Sequence, residues 1–279
     1  MKRFLLLVFL ATLVTGFLFA QNQKTDLVPT GYSGKVKSVR ETIYSRSNKL
    51  ESSGSDSIIS DKFISFFPDG KKQKISIYKL GILFSYTVFK YNEQNVKISS
   101  EEYNADNSLY LTISFTSNKD GFVTKANYNR ITQKSYDDER YSIDVEYDKY
   151  YQNLFTSIIC KNDFKGYILE EKYITQNGTL SFKLLYNYDY KYNRVGIKYY
   201  NKSGHVSWRK KLKYDSLGNA MESKLYESNR LALVSKFEYE FDMNNNWIKR
   251  IETRKLYDNF FADNLNENSH TTIRKIEYY

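Results

Sequence analysis

The sequence predicts an all-β protein: an antiparallel meander of tandem β-hairpin repeats forming one continuous twisted or curled sheet. Three observations predict it. Apolar and polar residues alternate with period two, as in Leu212 and Tyr214 against Lys211 and Lys213, or Phe237, Tyr239 and Phe241 against Glu238 and Glu240; that is the pattern of a half-buried strand. Each such run ends in turn chemistry, here Asp215-Ser216-Leu217-Gly218 and Asp242-Met243-Asn244-Asn245, residues that reverse a chain through short side-chain bonds or left-handed backbone. The composition agrees: 27 Tyr and 18 Phe against 2 Pro favour strands over disorder.

The elements follow in order. Met1-Lys2-Arg3 is a cationic head, 4–20 is almost wholly apolar, and the chain turns polar at Gln21, the build of a secretory signal peptide over 1–20. An uncleaved anchor is the rival, but the apolar run is shorter than the roughly 20 residues that a helical span needs. With no Cys at its end, a lipid anchor is not expected. Residues 21–35, holding Pro29, Gly31 and Gly34, read as a tether, and 36–279 as a single β-repeat domain. Val36–Tyr44 is the first strand and 45–60 a polar loop.

Aromatic anchors then recur, each followed by a Gly or Asn turn: Phe67, Tyr91, Phe115, Tyr147, Tyr173, Tyr192, Tyr214 and Phe241, spaced 19 to 32 residues apart. That spacing fits two strands and two turns, one hairpin per unit. Polar insertions at 133–140 and 258–270 lengthen two units. No segment beyond the leader shows helical periodicity. One apolar face must still be covered: the sheet curls until it closes as a barrel or shell, or folds into a two-layer sandwich. A β-propeller with two hairpins per blade is the rival, and the irregular spacing argues against it.

At Tyr192-Asn193-Arg194-Val195-Gly196, Tyr214-Asp215-Ser216-Leu217-Gly218-Asn219 and Phe241-Asp242-Met243-Asn244-Asn245 the chain resembles the tyrosine–aspartate (Rhs-type) repeats of exported bacterial proteins, including small secreted proteins of Bacteroidetes. The match is good over 186–254 and degenerate before it. The resemblance implies a β-repeat fold and export. Its motif is structural and carries over no catalytic residue.

Candidate chemistry is sparse. Cys160 is the single cysteine, so no intramolecular disulfide braces the fold. His205 sits in a turn and His270 in a polar insertion, without the paired spacing of metal ligands, and no cofactor or metal is expected. The acids Glu101-Glu102, Asp137-Asp138-Glu139, Glu170-Glu171, Asp144 and Glu146 mostly alternate with apolar residues, as a solvated face does. There is no phosphate loop and no serine-nucleophile motif. Trp208 shares parity with Val206 and reads as core. Trp247, just after a turn, is the one weak candidate for a binding residue, since an indole there could stack on a sugar ring or a partner.

The net charge of +10 reads as lysines on solvent-facing strand positions that discourage edge association, so nucleic acid is not an expected partner. The function expected is that of a non-catalytic binding or structural module, periplasmic, secreted or on the cell surface, with a protein or glycan partner and no transmembrane span once the leader is removed. A carbohydrate-active or other hydrolytic enzyme on the same scaffold, or an accessory part of a toxin or secretion system, are the alternatives.

Overall fold

A computed structural model describes residues 32–46, 57–130, 156–257 and 267–279. They form sixteen strands. The first eight are β1 (Val36–Arg46), β2 (Ser57–Phe66), β3 (Lys72–Lys79), β4 (Ile82–Tyr91), β5 (Lys97–Asn104), β6 (Leu109–Ser117), β7 (Val123–Arg130) and β8 (Ser157–Asn162). The second eight are β9 (Ile168–Ile174), β10 (Leu180–Tyr188), β11 (Arg194–Asn201), β12 (Val206–Tyr214), β13 (Ala220–Glu227), β14 (Arg230–Phe241), β15 (Trp247–Leu256) and β16 (Glu267–Tyr278). Each pairs antiparallel with the next, and β1 pairs with β16 from Val36 opposite Tyr278 to Arg46 opposite Ser269.

That last pairing corrects the predicted fold class. The sheet is a closed sixteen-strand barrel, not an open meander, a propeller or a sandwich. A propeller would break the ladder into blades and a sandwich would split it in two, whereas here one uninterrupted ladder returns to its start. Closure removes both edges of the described sheet, the rows of unpaired backbone groups through which strands of different chains can join.

One end of the barrel is made of near-identical turns. Between β12 and β13, Asp215 N–H donates to Asn219 O, and Asp215 Oδ1 accepts from the N–H groups of Leu217 and Asn219 at 2.9 and 2.8 Å. The same arrangement recurs with Asn118, Asp163, Asp189 and Asp242 at the head of the turn. The fourth residue takes the left-handed conformation, Gly218 at φ 87° and Asn245 at φ 58°, as a type I turn with a bulge requires. At this end four tyrosine hydroxyls cross to a carbonyl at the start of the preceding strand. Tyr91 donates to Lys72 O, Tyr188 to Ile168 O, Tyr214 to Arg194 O and Tyr239 to Ala220 O, all at 2.8–2.9 Å. An aromatic at a strand end therefore supplies both packing and a bond that fixes the register of its hairpin.

Register sorts the wall into two faces. Phe89, Ser100, Ile113 and Tyr128 are cross-strand neighbours that point inward; Val88, Glu101, Thr112 and Asn129 point outward. Further round, Lys210, Leu225, Leu233 and Leu256 line the inside while Lys211, Lys224, Val234 and Lys255 lie outside. The outer wall differs by sector: aromatic on β4–β5, where Tyr86 and Tyr103 stack at 5.0 Å, and lysine-rich on β9–β13, where Lys172, Lys183, Lys198 and Lys211 face out.

The inside of a circular sixteen-strand barrel would be wide enough for water. Here Ile113 and Ile158 are 1% exposed and Tyr173 2%, so the lumen is filled along β6–β10. Four rings on successive strands, Tyr173, Phe182, Tyr199 and Trp208, stack at centroid distances of 4.0, 5.1 and 5.5 Å. Such pairs stabilise by about 0.5–1.5 kcal/mol each beyond their buried area.

Candidate functional site

The inward face changes character on β15, β16, β1 and β2, where charge replaces the apolar lining. Arg250, Glu252 and Arg254 alternate along β15 and stand opposite Thr272, His270 and Asn268 of β16. One layer on, Arg274 of β16 faces Glu41 of β1, which faces Lys62 of β2. Glu41 is shared by two cations, Lys62 at 2.5 Å and Arg274 at 2.9 Å. Glu252 is taken in bidentate fashion by Arg254, at 2.7 and 2.9 Å.

Among the described residues that leaves Arg250 and Lys210 with no carboxylate in contact. Arg250 donates to Thr272 Oγ1 at 3.3 Å, and its Nε has neither a partner nor solvent. Arg274 Nη1 is in the same position. A buried donor left unpaired costs roughly 1–3 kcal/mol, more when it carries charge. Burial lowers the pKa of Lys210; Glu252 raises it, while Arg254 and Arg250 lower it further. The two arginines share one neighbour: the Arg274 guanidinium lies 3.2 Å and that of Arg250 5.3 Å from the centre of the Trp247 ring. On its other side Arg274 lies 4.8 Å from the ring of Tyr32.

Trp247, the one binding residue singled out from sequence, is thus 9% exposed and lies within this charged layer, edge-on to Tyr239 at 5.9 Å. His270 lies on β16 rather than in a loop; its Nε2 stands 3.0 Å from Arg254 Nη1. An arginine can only donate, so the ring nitrogen accepts and the imidazole is neutral there. Burial and Arg254 lower its pKa, against Glu252. His205 is exposed in the turn after β11. Trp208 is core, 4% exposed. Cys160 is buried on β8 opposite Glu171, and burial pushes its thiol up, away from thiolate chemistry. Glu101 and Glu170 face outward, bonded to Lys90 at 2.5 Å and Lys172 at 3.0 Å. Asp137, Asp138, Glu139, Asp144 and Glu146 lie outside the described residues.

Glu171, by contrast, points in at 1% exposure and accepts hydrogen bonds from Tyr186 at 2.6 Å and Tyr173 at 3.0 Å. Burial raises its pKa against the lowering effect of Tyr186, Arg194 and Tyr173. A carboxyl whose folded pKa lies above its unfolded value contributes stability at low pH and loses it as pH rises through the folded value. Glu171→Gln keeps an acceptor for both hydroxyls and removes the buried charge. We expect it to be more stable than the wild type at pH 8, with the difference closing towards pH 4; urea unfolding at the two pH values reads it. A variant less stable at both would show the carboxylate itself to be needed.

No group of three or more His, Cys, Asp or Glu side chains comes together as a metal site among the described residues. No protein-family profile and no curated protein sequence matches the chain. Solved structures do match in fold. A porin-like protein from Bacteroides uniformis superposes at a TM-score of 0.58 with 9% identity, over 88% of this chain and 98% of that one. One from Bacteroides vulgatus reaches a TM-score of 0.40 with 11% identity, over 85% and 97%. The TcdB2–TccC3–Cdc42 complex gives 0.26 with 9% identity, over 77% and 14%. The first likeness shows a shared fold; the other two are too distant to carry argument.

The closed barrel, a fold shared with the first of these structures, corrects three expectations. The chain is not read as a tyrosine–aspartate tandem-repeat protein, because the turn motif on which that resemblance rested serves one closed ring. The non-catalytic binding or structural module of tandem β-repeats, with a protein or glycan partner, loses its basis, since the repeats close into one ring; the hydrolase and toxin-accessory alternatives gain no supporting feature among the described residues. The expectation of no transmembrane span rested on apolar runs of helix length. No described helix is long and apolar enough to cross a membrane, but a barrel crosses with strands, so that ground does not apply.

Proposed function

We propose that the chain is an exported protein of the bacterial cell envelope, a barrel of porin-like fold whose working part is its lumen, where it takes up small polar solutes. The leader over 1–20 supports export, and the likeness to a porin-like barrel supports the envelope. The observation that carries the reading is the charged inward face of β15, β16, β1 and β2. Charges are costly to bury, and a wall built only for stability would continue the mainly aromatic and aliphatic lining of β6–β12, where Glu171, Arg194 and Lys210 are isolated charged exceptions. This reading assigns no catalysis to the chain.

The test is to express the full chain in a Gram-negative host, separate cytosol, periplasm and outer membrane, and sequence the mature N-terminus. Recovery with the periplasmic or outer-membrane fraction, cut after Ala20, is the expected result. An uncut protein in the cytosol would overturn it.

A further inference from the structure

We propose that Arg250 and Arg274, with the inward-pointing Lys210 of β12 as a further cation, hold a small oxyanion inside the barrel against the ring of Trp247. This deepens the reading of the lumen as the working part and rests on it. Three independent features point to an anion. Arg250 and Lys210 have no carboxylate in contact among the described residues, while Glu41 and Glu252 are already engaged by Lys62, Arg274 and Arg254. Two guanidinium nitrogens, Arg250 Nε and Arg274 Nη1, are shut off from solvent without an acceptor, and the Arg274 side chain is only 10% exposed. Both guanidiniums lie within 5.3 Å of the centre of one indole, so their free donors belong to one locality.

The chemistry narrows the class. Guanidinium presents planar pairs of donors that match the oxygens of a phosphate, sulfate or carboxylate better than a spherical halide. Tyr32, Trp247 and Phe237 supply apolar walls around the cations, which limits the site to a small ion or the acidic head of a small solute. Lys210 points inward from β12, so an anion that also engaged it would join strands that share no ladder bonds.

The experiment uses the purified mature chain and inorganic phosphate, followed by isothermal titration at constant ionic strength, with sulfate and chloride as competitors. Saturable phosphate binding is expected, displaced by sulfate and not by chloride, and weakened about tenfold or more in Arg250→Gln. Lys210→Met gives the same comparison should Arg250→Gln fail to fold. Absence of saturable binding by the folded wild type would overturn the proposal, as would equal binding by the wild type and the folded variants. Because binding is measured on isolated protein and the envelope reading on cell fractions, either can fail without the other.

Discussion

Glu41→Gln is expected to cost the barrel about 3–5 kcal/mol at neutral pH, because it leaves Lys62 and Arg274 facing each other without their shared counter-charge in a nearly solvent-free wall. The carboxylate bonds to cations on both flanking strands, β2 and β16, and so pins β1, the strand that closes the ring, from either side. Its acid response has a definite sign. Burial pushes the carboxyl up, but Lys62 and Arg274 outweigh burial and hold it at about 2, against an ordinary 4.5. A group with a lowered folded-state pKa contributes its stability above the unfolded value and loses it as pH falls through the folded one. The window therefore runs from about 4.5 down to about 2, and the contribution lost across it is on the order of 3 kcal/mol. Urea unfolding from pH 6 to the lowest pH that keeps the protein soluble reads both numbers. The wild type should fall faster than Glu41→Gln as pH drops, and the two curves should converge. Parallel curves, or a variant within 1 kcal/mol of the wild type at pH 6, would mean that the triad contributes nothing to closure.

Strands and turns were legible; the ring and its site were not. Asp215-Ser216-Leu217-Gly218 and Asp242-Met243-Asn244-Asn245 are turns because Asx oxygens and left-handed residues act within five positions, a range that sequence displays directly. Alternation likewise puts Phe237 and Tyr239 inward and Glu238 and Glu240 outward. Closure depends on partners far apart in the chain: Glu41 with Arg274, 233 residues away, and Ser33 with Asn246, 213 away. Nothing in local periodicity encodes such pairs. The charged site was hidden for a different reason. Along Trp247-Ile-Lys-Arg-Ile-Glu-Thr-Arg the apolar residue Ile251 faces out while Arg250, Glu252 and Arg254 face in. The usual rule of apolar inside and polar outside thus assigns this strand the wrong face. Only the register with β14, which sets Phe237 opposite Glu252 and Tyr239 opposite Arg250, shows the inversion. An inverted strand buried beside a Trp is the signal that sequence reasoning could look for.

Asn246→Ala should open the seam between the first and last strands, β1 and β16. Asn246 is fully buried at the last position of the β14–β15 turn. Its Nδ2 donates to Ser33 O at 2.8 Å and to Tyr278 Oη at 2.6 Å, while its Oδ1 accepts from Ser33 N–H at 2.6 Å. The Tyr278 hydroxyl in turn donates a hydrogen bond to Oδ2 of Asp242, the residue that heads the same turn. One amide thus joins the segment before β1, the end of β16 and the β14–β15 turn. Removing it deletes three bonds made by a fully buried amide; Ser33 itself is exposed and its backbone groups can be rehydrated, so the loss is that of the three bonds, about 2–4 kcal/mol. Asn246→Asp is the sharper control. An aspartate still accepts from Ser33 N–H but cannot donate to Ser33 O or Tyr278 Oη, so it should lose nearly as much as Ala despite its similar shape. Native-state hydrogen exchange locates the effect: amides in the β1–β16 pairing from Val39 to Thr42 should lose protection before those of β10–β11. If both seams lose protection together, the barrel unfolds as one unit and Asn246 is only one contact among many. If the β1–β16 amides alone open, the ring has a weakest joint, and it lies where the first and last strands pair.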